Sequence, residues 1–128
     1  MSESNFWKTV KRNLPSDCFA TRIENRNGGG VPDVHLIWNG LSFWIELKVS
    51  KGNKVLLSPH QVAWNTAYCK KGGVSFVLVK VPKQKSIVLF DGIRASEVFD
   101  LGLGAKSMYQ GSCFKELFSV IGSGSVIK

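Results

Sequence analysis

A chain of 128 residues suits one compact domain and leaves no room for two. Hydrophobic residues make up 44% and charged residues 20%, which excludes global disorder, and no apolar run approaches the ~18–20 residues that span a bilayer. Seventeen Lys and Arg against nine Asp and Glu give a net charge of +8, so a polyanion is the first partner to test, nucleic acid ahead of membrane.

The chain opens with MSESNFWK, which lacks the basic-then-apolar build of a signal peptide, and the expectation is a cytosolic protein. Phe6, Trp7, Val10 and Leu14 recur at helical spacing, and Pro15 closes that segment. Residues 18–25 read as a strand. Asn27 with Gly28, Gly29 and Gly30 forms a loop ending at Pro32. Residues 33–38 and 41–49 alternate apolar and polar with period two around Asn39-Gly40. Both residues of that pair tolerate the positive φ of a type I′ turn, so a tight hairpin is expected.

After a lysine-bearing loop at 50–54, Ser58-Pro59-His60-Gln61 opens a second helix. Ser58 suits the N-cap, Pro59 the first helical position, and Gln61 the far corner of a capping box. Lys70 and Lys71 favour the C-terminal end of its dipole and Gly72-Gly73 stop it. Residues 74–81 and 86–90 read as strands, with short helices near 94–100 and at 113–121. The order helix, three strands, helix, two strands indicates an α/β sandwich with a mixed sheet. Residues 1–121 are expected to form the one domain, and 122–128, starting Gly122, Ser123, Gly124, Ser125, a flexible tail. Cys18, Cys69 and Cys113 match neither a disulfide framework nor a zinc site and are expected as buried free thiols.

With Asn39 and Gly40 as the loop residues, paired positions put Trp38 opposite Leu41, His35 opposite Trp44, Val34 opposite Ile45 and Asp33 opposite Glu46. One face then carries Val34, Leu36, Trp38, Leu41, Phe43, Ile45, Leu47 and Val49, and is core. The other carries Asp33, His35, Ile37, Ser42, Trp44, Glu46 and Lys48. Two carboxylates facing each other at ~5 Å repel by about 3 kcal/mol at an effective dielectric near 20. A divalent cation between them reverses the sign, and hard oxygen ligands favour Mg²⁺, with Mn²⁺ as substitute. The Leu47 carbonyl is a further candidate ligand. Lys48, on the same face, is placed to offset charge, contact a phosphate oxygen or orient a water.

Pro32-Asp33, followed by Glu46-Leu47-Lys48, resembles the PD-(D/E)XK nuclease superfamily. Arg22-Ile-Glu-Asn, the Gly-rich loop, Val31-Pro-Asp-Val, Glu46-Leu-Lys-Val and Leu57-Ser-Pro-His-Gln together resemble small phage nucleases related to its VRR-Nuc and Holliday-junction-resolvase branches. The resemblance covers residues 3–80 and leaves 91–128 unmatched. It implies a restriction-endonuclease-like α/β core: helix, three-strand meander, helix and strands, with a mixed sheet flanked by helices. It also implies a metal-dependent deoxyribonuclease inside a cell, phage-encoded in a bacterial host, acting on branched DNA as a homodimer. Residue by residue, Asp33 and Glu46 hold Mg²⁺, Lys48 assists the attacking water, Glu3 adds to the metal site, and Gln61 lines it. Asn65 stands where some branches carry a Tyr.

Other roles compete for several of these residues. Glu3 equally suits the first turn of a helix, where the dipole favours an acid. Glu24 is a substitute for Glu3 or an exposed strand residue. Gln61 satisfies a capping box with or without a site. His35 shares the face of Asp33 and is read as a polar sheet residue in preference to a general base. Lys51, Lys54, Arg22, Arg26 and Lys11 are candidate phosphate contacts, or surface charges. Trp7, Trp38 and Trp64 are expected in the core; Trp44, on the charged face, is placed to stack on a base or cover a partner. The alternatives to a junction nuclease are a site-specific restriction or homing-type endonuclease, and an inactive basic module that binds nucleic acid.

Overall fold

A computed structural model describes residues 1–23 and 29–123. The elements run α1 (Glu3–Arg12), β1 (Phe19–Arg22), β2 (Val34–Trp38), β3 (Leu41–Val49), α2 (Pro59–Lys70), β4 (Ser75–Val81), β5 (Ser86–Asp91), α3 (Ala95–Leu101), β6 (Tyr109–Gly111) and α4 (Phe114–Ile121). The expected order of helix, three strands, helix and strands is present. Residues 24 and 25 of the expected first strand, with Asn27 and Gly28, lie outside the described residues, as do 124–128 of the expected tail. Gly122 and Ser123 finish α4, where the Ser123 hydroxyl donates to the Val120 carbonyl at 2.7 Å.

The six strands form one mixed sheet in sequence order. Every neighbouring pair is antiparallel except β3 and β4, which run parallel because α2 carries the chain back between them. The hairpin register is the one the alternation predicts, from Val34 opposite Ile45 to Trp38 opposite Leu41. Asn39 (φ 52°) and Gly40 (φ 76°) both take the left-handed conformation that a two-residue type I′ turn demands. A register slip of one residue would turn Phe43, Ile45 and Leu47 out of the core, so burial and turn chemistry fix the same pairing.

The two faces of the sheet bury separate cores. On one, Leu36, Phe43, Ile45, Leu47, Phe76, Leu78 and Leu89 pack against Phe6 and Val10 of α1 and Leu117 and Ile121 of α4. On the other, Val77, Val79, Val88 and Phe90 pack under Ala95 and Val98 of α3, with Val62 of α2 at the margin. Each fully buried side chain of this size contributes roughly 1.5–3 kcal/mol. The edge strand β6 was not expected. It has three residues and pairs only through Ile87–Gly111, Val88–Gln110 and Leu89–Tyr109, too short a stretch to show a period of two. The three cysteines are free and half-buried, not fully buried.

Candidate active site

The parallel β3–α2–β4 crossover makes the site. On β3, Trp44, Glu46 and Lys48 project to the face that α2 covers. Glu46 is therefore only 1% exposed and Lys48 9%. Asp33 lies just before β2 instead of within it. Its carbonyl accepts from the Ile23 N–H at 2.7 Å, continuing the β1–β2 ladder. Its carboxylate reaches across the hairpin and accepts from the backbone N–H of Leu47 at 2.9 Å. The Asp33 carboxyl lies close enough to Glu46 to hold the Glu46 pKa up.

Glu46 is held from above. The Gln61 side-chain amide donates to Glu46 Oε2 at 3.0 Å. Gln61 also closes the capping box of α2: its Oε1 accepts from the Ser58 N–H at 2.9 Å, and its own N–H donates to the Ser58 hydroxyl at 3.1 Å. One residue thus starts the helix and fixes a buried acid, and the two roles expected of Gln61 coexist. The Lys48 ammonium lies 3.9 Å from the same Glu46 Oε2. Glu46 Oε1 is buried with no hydrogen-bond partner.

That arrangement is costly as it stands. Burial, then the Asp33 charge and the Glu3 charge raise the Glu46 carboxyl to about 9, against the downward pull of Lys48. Burial likewise raises Glu3 above its ordinary range; Lys48 and Arg22 oppose that shift and Asp33 reinforces it. Glu3, on the first turn of α1, therefore belongs to the same electrostatic cluster as Asp33, Glu46 and Lys48. Among the described residues, however, no three His, Cys, Asp or Glu side chains stand close enough to hold a metal as a set. Of the expected donors, Asp33 and Glu46 are brought together here. They fit a hard divalent cation, because the unpartnered Glu46 Oε1 has a lone pair to give and a cation would cancel the carboxylate repulsion.

The basic candidates are dispersed. Arg22 ends β1 within electrostatic reach of Glu3. Lys51 and Lys54 are exposed and bridge to each other across a turn beyond β3, and the Leu103 N–H pins that turn through the Asn53 carbonyl at 2.8 Å. Lys11 lies in the last turn of α1, eight residues and about 12 Å along the helix from Glu3. Arg26 and Glu24 fall outside the described residues. His35 donates to or accepts from the Ser42 hydroxyl at 2.8 Å, consistent with a polar sheet residue.

Two features went unread in the sequence. Asn65, one turn after Gln61, is fully buried; its side chain donates to the Gln61 carbonyl at 2.8 Å and accepts from the Ser75 hydroxyl at 2.7 Å, pinning α2 to β4. An Asn four residues after the site Gln was the available signal. Trp64, expected in the core, is half-exposed instead. It stacks on Tyr68 (4.6 Å between centroids) and meets Trp44 edge-on (5.7 Å), and His35 lies 4.8 Å from Trp44. Of the other two tryptophans, Trp7 is in the core, and Trp38 is half-buried with its indole N–H donating to Asp17 at 3.0 Å. A groove of about 860 Å³, lined by Asp17, Trp38, Phe114 and Phe118 among others, opens at the turn end of the hairpin and contains none of the acid cluster. No helix of the described residues is long and apolar enough to cross a membrane.

No family model matches the chain. It is 32% identical over 89 residues to the crossover junction endodeoxyribonuclease Hjc of Sulfolobus acidocaldarius, an alignment covering 68% of this chain and 62% of that protein. The chain thus spans less than two thirds of that relative's length. Among solved structures it is similar to the 1.6 Å structure of Archaeoglobus fulgidus Hjc, described as a Holliday junction resolvase from an archaeal hyperthermophile. The TM-score is 0.49 at 18% identity, covering 70% of this chain and 74% of the other.

Proposed function

We propose that this chain is a member of the PD-(D/E)XK-like nuclease superfamily and a metal-dependent endodeoxyribonuclease that cuts branched DNA. The observation that carries the reading is the acid pair, a buried Glu46 with a half-buried Asp33 beside it. Asp33 bears on Glu46 strongly enough to raise its pKa, one oxygen of Glu46 has no partner, and a lysine stands beside Glu46. A structural role gives no reason to keep two carboxylates in that arrangement. Asp33, Glu46 and the Leu47 carbonyl hold the cation, with Glu3 as an outer contributor. Mg²⁺ is the assigned ion and Mn²⁺ its substitute. Such an ion supplies an acidified water and charge neutralisation at phosphorus.

The chain's own groups do the rest. Hydrolysis joins a water oxygen to phosphorus and breaks one P–O ester bond, and negative charge builds on the phosphoryl oxygens. Lys48, with its ammonium already inside the cluster, stabilises that charge or holds the water. Gln61 keeps Glu46 Oε2 occupied, which leaves Oε1 for the ion. Lys51, Lys54 and Arg22, with Arg26 and Lys11, supply phosphate contacts, and the net charge of +8 draws DNA in. So small a domain has little surface left for reading base sequence, in keeping with recognition of shape.

A junction has two strands to cut, and a homodimer presents two sites. Phe19 and Ile37 are paired on the same sheet face as Glu46, where α2 does not cover it, and are 70% and 45% exposed. With Trp44 and the half-exposed Trp64 and Tyr68 beside them, they make the face we assign to the second copy. Sedimentation of Phe19→Lys against the unaltered chain checks it.

The function is tested by incubating the protein with four-way junction, flap and linear duplex DNA in Mg²⁺ or EDTA. Junction cleavage that requires Mg²⁺ and vanishes in Asp33→Ala and Glu46→Ala is the expected result. Cleavage that survives both substitutions overturns the assignment. Equal cutting of random duplex removes the junction preference, and metal-independent binding without nicking leaves only the inactive module.

A further inference from the structure

We propose that Gly30 is a positioning residue for the acid pair, setting the distance between the Asp33 arm and the Glu46–Gln61 half of the site; the proposal rests on the nuclease reading for its purpose. Gly30 is buried with φ +82°, and it lies against the first turn of α2. A Cβ there would come 2.2 Å from the His60 carbonyl oxygen, 2.5 Å from its carbon and 3.1 Å from the Gln61 nitrogen. These are backbone atoms, so no side chain can swing aside.

The contact closes a ring. Three residues beyond Gly30 is Asp33, tied to the Leu47 N–H at 2.9 Å. Next to Leu47 is Glu46, tied to Gln61 at 3.0 Å, and Gln61 follows His60, on which Gly30 sits. The Leu47 N–H fixes Asp33 relative to β3, and the capping box fixes Gln61 relative to its helix. The loop that enters Asp33 meets the helix that holds Glu46 at Gly30. An added methyl group needs about 1 Å of separation to reach ordinary contact, and that separation falls on the two halves of the cation's donor set. Displacements of this size cost about 100-fold in rate, and loss of supporting contacts around a metal costs about 10- to 100-fold in its affinity.

Gly30→Ala is compared with Gly72→Ala, which imposes the same positive-φ strain (φ +95°) at a position with nothing within 4 Å. The readouts are Mn²⁺ affinity by electron paramagnetic resonance, DNA affinity in EDTA, and thermal midpoint. The expected result is Mn²⁺ binding weakened about 10- to 100-fold in Gly30→Ala alone, with metal-free DNA affinity matching Gly72→Ala. Unchanged Mn²⁺ affinity, or a loss of stability and DNA affinity with Mn²⁺ affinity intact, overturns the proposal.

Should Gly30→Ala fail to fold, hydrogen exchange on the unaltered protein decides the matter. Adding Mn²⁺ is expected to slow exchange at Gly30 and Gln61 together with Leu47; protection confined to Leu47 overturns it. Mn²⁺ binding that depends on Gly30 in a protein that cuts no junction leaves this role standing and sinks the nuclease reading. No Mn²⁺ binding at all sinks both.

Discussion

The Gln61 side-chain amide donates to the buried Glu46 carboxylate at 3.0 Å while the same side chain caps α2 through Ser58, so helix initiation and the hold on a buried acid share one residue. Gln61→Leu removes both roles and leaves a buried carboxylate oxygen without a donor. The expected cost is about 2–3 kcal/mol in urea unfolding, with cleavage slowed roughly 10- to 100-fold. Ser58→Ala separates the two effects. It loses the cap alone, costs about 1 kcal/mol and leaves the rate within a few fold.

Glu46→Gln keeps the shape of the side chain and removes its charge. Because the folded chain must hold a Glu46 proton at pH 8 that the unfolded chain has released, the substitution is expected to stabilise the metal-free protein there by at least about 1–2 kcal/mol. Cleavage and Mn²⁺ binding are expected to disappear. A variant that is both more stable and inactive is the signature of an acid retained for chemistry; a destabilised one argues that Glu46 supports the fold.

Stability without metal is expected to fall as pH rises. Glu46 keeps its proton in the folded chain up to about 9, whereas the unfolded chain releases it near 4.5. Between those values the folded state binds the extra proton, so its contribution is complete below the lower value and is lost on the way to the upper one. The slope approaches about 1.4 kcal/mol per pH unit for a single such group. Thermal midpoints from pH 5 to 9 in EDTA measure it, and Mg²⁺ is expected to restore the loss most at high pH, where its ligands are deprotonated. A flat EDTA profile would contradict the raised Glu46.

Lys51 and Lys54 stand on a turn held rigid by Asn53 and Leu103. If both meet phosphates, Lys51→Ala with Lys54→Ala lowers the slope of log affinity against log salt by about 2, uniformly across sequences. Lys115→Ala, exposed on α4 and outside the proposed phosphate contacts, is the comparison. Fluorescence anisotropy with a labelled junction between 50 and 200 mM salt measures all three.

Much of this site was written locally. Alternation on either side of Asn39-Gly40 determined the hairpin register, and that register set Asp33 and Glu46 near one another. Ser58, Pro59 and Gln61 determined where α2 begins. Both are short-range effects: side-chain direction repeats every two residues in a strand, and a capping box spans three in a helix. Only the tertiary structure decided that Glu46 is buried, that Gln61 reaches it, that Asn65 pins the helix to Ser75, that Trp64 leaves the core for Trp44, and that Gly30 sits on His60. Each of these depends on how α2 lies across the sheet. With Asn65 as its one fully buried residue, that helix has no apolar stripe from which its docking face can be read.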